Sequence, residues 1–261
     1  MAAQKRDYAT PALDKGLDII ELLAREARGL TKSEIARHLN RTVSEIFRML
    51  LTLESRGYIS QPEKDRFSLT LQLFRLVQEH PPTERLLAES LPVMQELAEQ
   101  VHQSCHLGVI EGVQVVILAQ VNSPDANGFY VKLGSVVDIT KAASGQVILA
   151  HQPEFVREQI LMRWKDHNQR QLPRDLRAHL AKIQAQGMEQ RASYKVKGVT
   201  NVSCPIFGSD GSAVAALSVP YIERTDEVVG LPEIRIQMQA ACVRISTAIG
   251  SNRYASASDA P

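Results

Sequence analysis

The sequence predicts an α/β protein of the α+β kind: a small N-terminal module of helices and a hairpin, then a larger antiparallel sheet with helices packed on it. Three observations carry this. Two helix-opening signatures, Thr31-Lys-Ser-Glu34 and Thr42-Val-Ser-Glu45, stand eleven residues apart ahead of a short hairpin. Further on, two hairpin patterns, His106 to Val121 and Val199 to Val219, are interleaved with helical stretches. And 261 residues, 44% apolar and 23% charged, suffice for one large or two ordinary domains with proper cores.

The elements follow in order. Leu13, Leu17, Ile20, Leu23 and Ala27 recur at helical spacing and predict a first helix of about four turns, stopping near Gly29. Thr31 and Glu34 form a capping box, each side chain satisfying a free backbone N–H of the other. It opens a short helix whose inner side is Ile35, Ala36 and Leu39. After the turn from His38 to Arg41, Thr42 and Glu45 open another helix in the same way.

At 100° per residue, Val43, Ile46, Phe47, Leu50 and Leu51 fall on one side of that helix, its expected buried face. Ser44, Glu45, Arg48, Thr52 and Arg56 fall on the other. Tyr58-Ile59 and Arg66-Phe67-Ser68-Leu69 then flank a polar turn, Gln61 to Asp65. This is the layout of a winged helix-turn-helix. The helices alone also suit a small helical subdomain that touches no nucleic acid, and the flanking hairpin favours DNA. On the DNA reading, Thr42, Ser44, Glu45, Arg48 and Thr52 face the duplex, with Ser44, Glu45 and Arg48 able to reach base edges, while Lys64 and Arg66 on the wing reach phosphates. Arg48 suits guanine; Glu45 either accepts from cytosine N4 or only closes its capping box.

Composition adds exclusions. The net charge of +1 offers no global basic field, so nucleic-acid binding must come from a local patch. Three scattered cysteines, Cys105, Cys204 and Cys242, make no disulfide framework and fit a reducing compartment. The N-terminus lacks a signal-peptide core and no run of about 18 apolar residues occurs, so a cytoplasmic protein off the membrane is expected.

In the second half, a helix leaves the wing through Leu71, Phe74, Leu76 and Val77 and ends at His80-Pro81-Pro82; another restarts at Thr83, and Pro92 kinks or restarts it. Helices are expected near Gly145–His151, Phe155–Trp164 and Arg174–Gln186, and a closing helix from Val229 to Ile249. His102, Cys105 and His106 carry metal-ligand chemistry, but no second ligand cluster accompanies them, and buried packing residues are the default. No GxSxG, P-loop or GxGxxG is present, so no catalytic residue, metal or cofactor is assigned.

These stretches together resemble the IclR family of bacterial transcriptional regulators. Ala12-Leu13-Asp14-Lys15-Gly16-Leu17-Asp18-Ile19-Ile20-Glu21-Leu22-Leu23 is similar to its opening helix. Leu30-Thr31-Lys32-Ser33-Glu34-Ile35-Ala36 and Ile46-Phe47-Arg48-Met49-Leu50-Leu51-Thr52-Leu53 resemble its next two. Ala143 to Ala150, Gly187-Met188 and Val199 to Pro220 resemble segments of its sensing domain. The wing lacks the family's common glycines, and Ser44-Glu45 stands where Ser-Thr is frequent.

The resemblance implies a winged helix-turn-helix over 10–70, a linker helix over 71–88, a GAF-like effector-binding domain over 89–250 and a flexible tail over 251–261. It places Ala143 and Ser144 at a helix start beside the effector, Val199, Asn201 and Ser218 on facing strands, and Arg191 at the edge. The implied partners are double-stranded operator DNA, a small organic or sugar acid, and further copies of the chain in a dimer or tetramer. The expected function is a ligand-responsive repressor of a catabolic operon. A small-molecule enzyme with a helical appendage and a protein-interaction adaptor are the alternatives.

Overall fold

A computed structural model of the chain describes residues 10–63, 65–78, 81–225 and 229–254. The chain divides between Glu84 and Arg85 into two compact units, each built around its own core. The divide falls within the segment 71–88 read as a linker.

In the first unit α1 runs Pro11–Leu23 and stops six residues before Gly29, which precedes a strand instead of ending a helix. Gly29 takes φ 63°, and a Cβ there would sit 2.6 Å from the Phe67 carbonyl oxygen, so only glycine lets the chain approach this closely. That approach forms β1 (Leu30–Thr31), a strand too short to be seen in the sequence pattern. Helix α2 (Lys32–His38) follows, then Asn40 in the left-handed region at φ 52°, then α3 (Val43–Ser55). The wing is β2 (Ile59–Glu63) and β3 (Arg66–Leu69), with β1 on the far edge of β3. Asp65 supplies the left-handed turn residue, φ 66°, that a glycine would otherwise provide. Helix α4 (Gln72–Gln78) leaves the wing.

Ile19, Leu23, Ile35, Ile46, Leu50, Ile59 and Phe67 make this unit's core. Two sequence expectations fail here. Leu13 and Leu17 on α1, and Val43, Phe47 and Leu51 on α3, are exposed. Three short helices and a small sheet enclose room for only one side-chain row per helix, so the apolar stripes are wider than the core that takes them.

The second unit begins within α5 (Pro81–Val101), which passes through Pro92 as one helix. Strands β4 (Cys105–Glu111), β5 (Gln114–Val121) and β6 (Val136–Asp138) follow, then α6 (Ala143–Ala150), α7 (Glu154–Asn168) and α8 (Leu176–Gln186). Next come β7 (Glu189–Ala192), β8 (Val199–Phe207), β9 (Ala213–Ile222) and the closing α9 (Leu231–Ala248). The sheet order is β6-β5-β4-β9-β8-β7, antiparallel throughout. Both hairpins are present, and the edge strands β6 and β7 are additions beyond them.

Cys105, Leu107, Cys204, Ile206 and Leu217 pack with Met94, Leu97, Met238 and Ile245 of α5 and α9. Val115, Ala216 and Phe207 instead join Val147, Leu161 and Leu180 of α6, α7 and α8. Neighbouring residues such as Cys105 and His106 must point to opposite faces of β4, so they do not form one ligand set. Among the described residues no group of histidine, cysteine and carboxylate side chains is placed to hold a metal. No described helix is long and apolar enough to cross a membrane.

The tail read as flexible is ordered at its start. Tyr254 stacks edge-on to Phe207 at 5.9 Å and the Arg253 guanidinium lies 4.0 Å over the same ring. Residues 255–261 lie outside the described ones.

Candidate nucleic-acid interface and ligand pocket

Both capping boxes of the first unit are formed. Thr31 N–H donates to Glu34 Oε2 at 2.8 Å and Glu34 N–H to Thr31 Oγ1 at 3.2 Å. Thr42 N–H donates to Glu45 Oε2 at 2.8 Å and Glu45 N–H to Thr42 Oγ1 at 3.3 Å. Asp18 on α1 also accepts from Arg41 at 3.1 Å, tying the start of α3 to α1.

The box decides what Glu45 can do. One carboxylate oxygen accepts from the Thr42 N–H and hydroxyl, and the other from Lys15 Nζ at 3.3 Å. The backbone N–H of Thr42, then its hydroxyl and Lys15, hold the carboxyl at about 2. Of the two sequence readings of Glu45, the geometry favours closing the helix over reading cytosine. Thr42 is engaged in the same box, and Thr52 donates its hydroxyl to the Arg48 carbonyl at 2.9 Å. Ser44 and Arg48 are exposed, and neither side chain is hydrogen-bonded among the described residues.

Arg66, expected to reach a phosphate, is engaged within its own unit. Its guanidinium donates to the carbonyls of Arg28 at 3.2 Å and Gly29 at 2.9 Å and lies 3.6 Å from Glu34, so it braces β1 from within the unit. Lys64, the other wing cation, lies outside the described residues.

The second unit holds a cavity of about 240 Å³ over the sheet, on the α6 side. Helix α6 begins at Ala143 with Ala142 as its N-cap and no side chain capping it, so its first N–H groups have no side-chain acceptor. Ala142, Ala143 and Ser144 line the cavity at that point. The turn before them is fixed by Asp138, whose Oδ1 accepts from the Thr140 N–H at 2.8 Å and whose Oδ2 accepts from the Trp164 indole at 3.2 Å. Gly145 completes the approach: a Cβ there would lie 2.5 Å from Cα and O of Ile139.

The floor comes from three adjacent strands. His106 pairs in register with Ser218, and Ser218 with Ser203, so the three side chains form one polar row. The two serine hydroxyls share a hydrogen bond at 2.7 Å. His106 is buried, its Nδ1 has no partner, and burial pushes its pKa down to about 4, leaving a neutral imidazole facing the cavity. Ile117 and Val137 supply apolar wall, and the loop after β5 brings Phe129 and Lys132 to the rim. Ser123 ties that loop down, donating its hydroxyl to the His102 carbonyl at 3.0 Å.

Of the six residues expected to touch an effector, Ala143, Ser144, Asn201 and Ser218 line this cavity. Val199 and Arg191 do not. Val199 is buried at the start of β8, and Arg191 donates to Gln146 Oε1. The cations that do line it are Lys132 and Lys195. Sequence reasoning missed Ser203 and the role of His106. Their signal was a buried polar residue within a strand, at positions that only strand register brings side by side.

The IclR helix-turn-helix domain matches residues 12–63, and the bacterial transcriptional regulator IclR C-terminal domain matches residues 83–247. The chain belongs to the IclR family of bacterial transcriptional regulators. It is thus a DNA-binding regulator with a ligand-binding C-terminal unit, in a family of regulators and not of enzymes. It is 28% identical to the HTH-type transcriptional regulator BhcR of Paracoccus denitrificans, over 82% of this chain and 79% of that protein. Identity to the HTH-type transcriptional regulator KdgR of Escherichia coli is 24%, over 96% and 97%. A crystal structure of an IclR homolog from Microbacterium hydrocarbonoxydans, complexed with 4-hydroxybenzoate, shares the fold with a TM-score of 0.73 at 22% identity. That match covers 91% of this chain and 98% of the other. This IclR-family chain spends Glu45 on its own helix and leaves Ser44 and Arg48 of α3 unengaged.

Proposed function

We propose that this IclR-family protein is a ligand-responsive repressor of a catabolic operon. Its effector is a small organic, aromatic or sugar acid bearing a hydroxyl or oxo group. The observation that carries the effector class is the convergence of uncapped N–H groups at the start of α6 and the unpartnered Nδ1 of buried His106 on one cavity. Helix N–H groups and the dipole favour a carboxylate. A neutral imidazole and a serine pair instead suit an uncharged hydrogen-bonding group. At about 240 Å³ the cavity suits a ligand at the small end of the usual range, ~300–1,000 Å³ for pockets generally. The related structure holding 4-hydroxybenzoate, itself a hydroxy acid, supports this class.

On the DNA side, Ser44 and Arg48 enter the major groove, and Arg48 recognises guanine. The protein works in the cytoplasm as a homodimer or tetramer on paired half-sites, and the exposed Leu71, just before α4, and Phe74 of α4 offer apolar surface for assembly. Regulation follows if the acid binds the DNA-competent and DNA-incompetent arrangements unequally.

A thermal-shift screen of organic, aromatic and sugar acids against the full chain, followed by operator affinity at fixed salt, tests the reading. Expected are hits that share a carboxylate and a hydroxyl or oxo group, weakened by His106→Ala and each weakening DNA binding. Turnover of a hit by the purified protein, or hits that leave DNA affinity untouched, overturns it.

A further inference from the structure

The exposed face of α3 is not only polar. Phe47 is 44% exposed and Leu51 49%, although helix periodicity assigns both to the buried side. The core of this unit takes Ile46 and Leu50 from α3 and leaves these two out. Residues 44, 47, 48 and 51 are neighbours at spacings of three and four, so Ser44, Phe47, Arg48 and Leu51 form one contiguous patch. Glu45 beside it is held in its capping box and by Lys15. An unpaired cation and hydroxyl thus sit beside an aromatic ring and an isobutyl group that the fold does not need.

This combination matches one feature of duplex DNA. The thymine C5-methyl is the apolar group that a base pair presents in the major groove, while guanine presents the paired acceptors that suit Arg48. We infer that Phe47, flanked by Leu51, is a specificity-determining residue that recognises the 5-methyl group of a thymine adjacent to the base read by Arg48. The inference rests on α3 entering the major groove, as proposed above. The aromatic ring excludes water from the methyl, and its rigid side chain loses little freedom in doing so.

The experiment uses the full-length protein and duplexes selected by it from a random library. Each thymine is replaced in turn by deoxyuridine, which removes the methyl and leaves the base pair intact, and affinity is read at fixed salt. One or two positions per half-site should weaken binding about three- to tenfold, the value of burying one such group. Phe47→Ala should bind the thymine and uracil duplexes equally at those positions, and Phe47→Leu should keep part of the preference. Arg48→Ala should retain the thymine preference and lose the neighbouring guanine preference.

Three outcomes overturn the inference: deoxyuridine without effect at every position, a thymine preference that survives Phe47→Ala, or a change in oligomeric mass on Phe47→Ala, which assigns the patch to a second copy of the chain. Failure of the groove reading itself looks different, because Arg48→Ala would then leave all sequence preference intact. Circular dichroism of each variant separates loss of contact from loss of fold.

Discussion

His106 shows how one residue's chemistry is set by where the chain puts it. Its ordinary pKa of 6.5 falls to about 4 because the protonated ring would be buried without a counter-charge. The folded protein therefore binds a proton less readily than the unfolded chain does. The stabilising effect of the neutral ring is complete above about pH 6.5 and is lost as pH falls toward about 4, a span worth roughly 3 kcal/mol. NMR of the His106 imidazole should show a neutral ring down to near pH 4, and effector affinity should be flat from about pH 5 to 8 as far as this group is concerned. A ring that titrates near 6.5 would mean that His106 is solvated and not part of a closed pocket. At this scale the sequence named the right kinds of residue but not their company. His106 was conspicuous beside Cys105 and His102, yet its neighbours are Ser218 and Ser203, more than ninety positions away along the chain.

At the scale of elements, the helix starts at the two candidate sites are built on opposite plans. Helix α3 opens with a complete capping box, so its first turn is satisfied from within and its exposed side is left for a partner. Thr42→Ala removes the hydroxyl half of the box and should cost about 1 kcal/mol in urea unfolding of the first unit, while the residue 42 N–H still donates to Glu45. If stability is unchanged, water caps the helix as well as Thr42 does. Helix α6 opens with no cap at all and packs against the Ile139 backbone through Gly145. Gly145→Ala should push α6 away from Ile139 at a cost of about 1–3 kcal/mol, and should weaken effector binding more than its stability loss alone requires. Effector affinity equal to that of the parent would show that the helix start takes no part in binding. Both capping boxes and the central hairpins were readable from sequence, because their determinants are local. The edge strands β1, β6 and β7, of two to four residues, were not, since pairing with a neighbour defines them more than their own pattern does.

For the molecule as a whole, regulation requires a free-energy link between two units that have separate cores. That link is reciprocal. If an acid weakens operator binding by some factor, saturating operator DNA must weaken acid binding by the same factor, typically 5- to 150-fold. Calorimetric titration of the acid, with and without DNA, checks this. Unequal factors would mean that the acid acts at a second site or by competing for DNA directly. Acid binding should also raise the unfolding temperature of the second unit, since the ligand binds its folded form alone.

The amino-acid order by itself determined the two-part organisation, the capped helices, the hairpins and the family to which they belong. Each of these is set by neighbours within a few turns of chain, where spacing and side-chain type are sufficient. Only the tertiary structure decided which apolar residues are core and which are surface. A helical stripe counts hydrophobic positions, whereas the core admits only those that its volume can hold, and Phe47 and Leu51 fall outside it. It also decided where the cations go. Arg66 and Arg191 turn inward to carbonyl partners that are distant in sequence, while Lys132 and Lys195 reach the pocket. Long-range pairing assigns these roles because a flexible charged side chain goes to whichever partner the fold brings within reach.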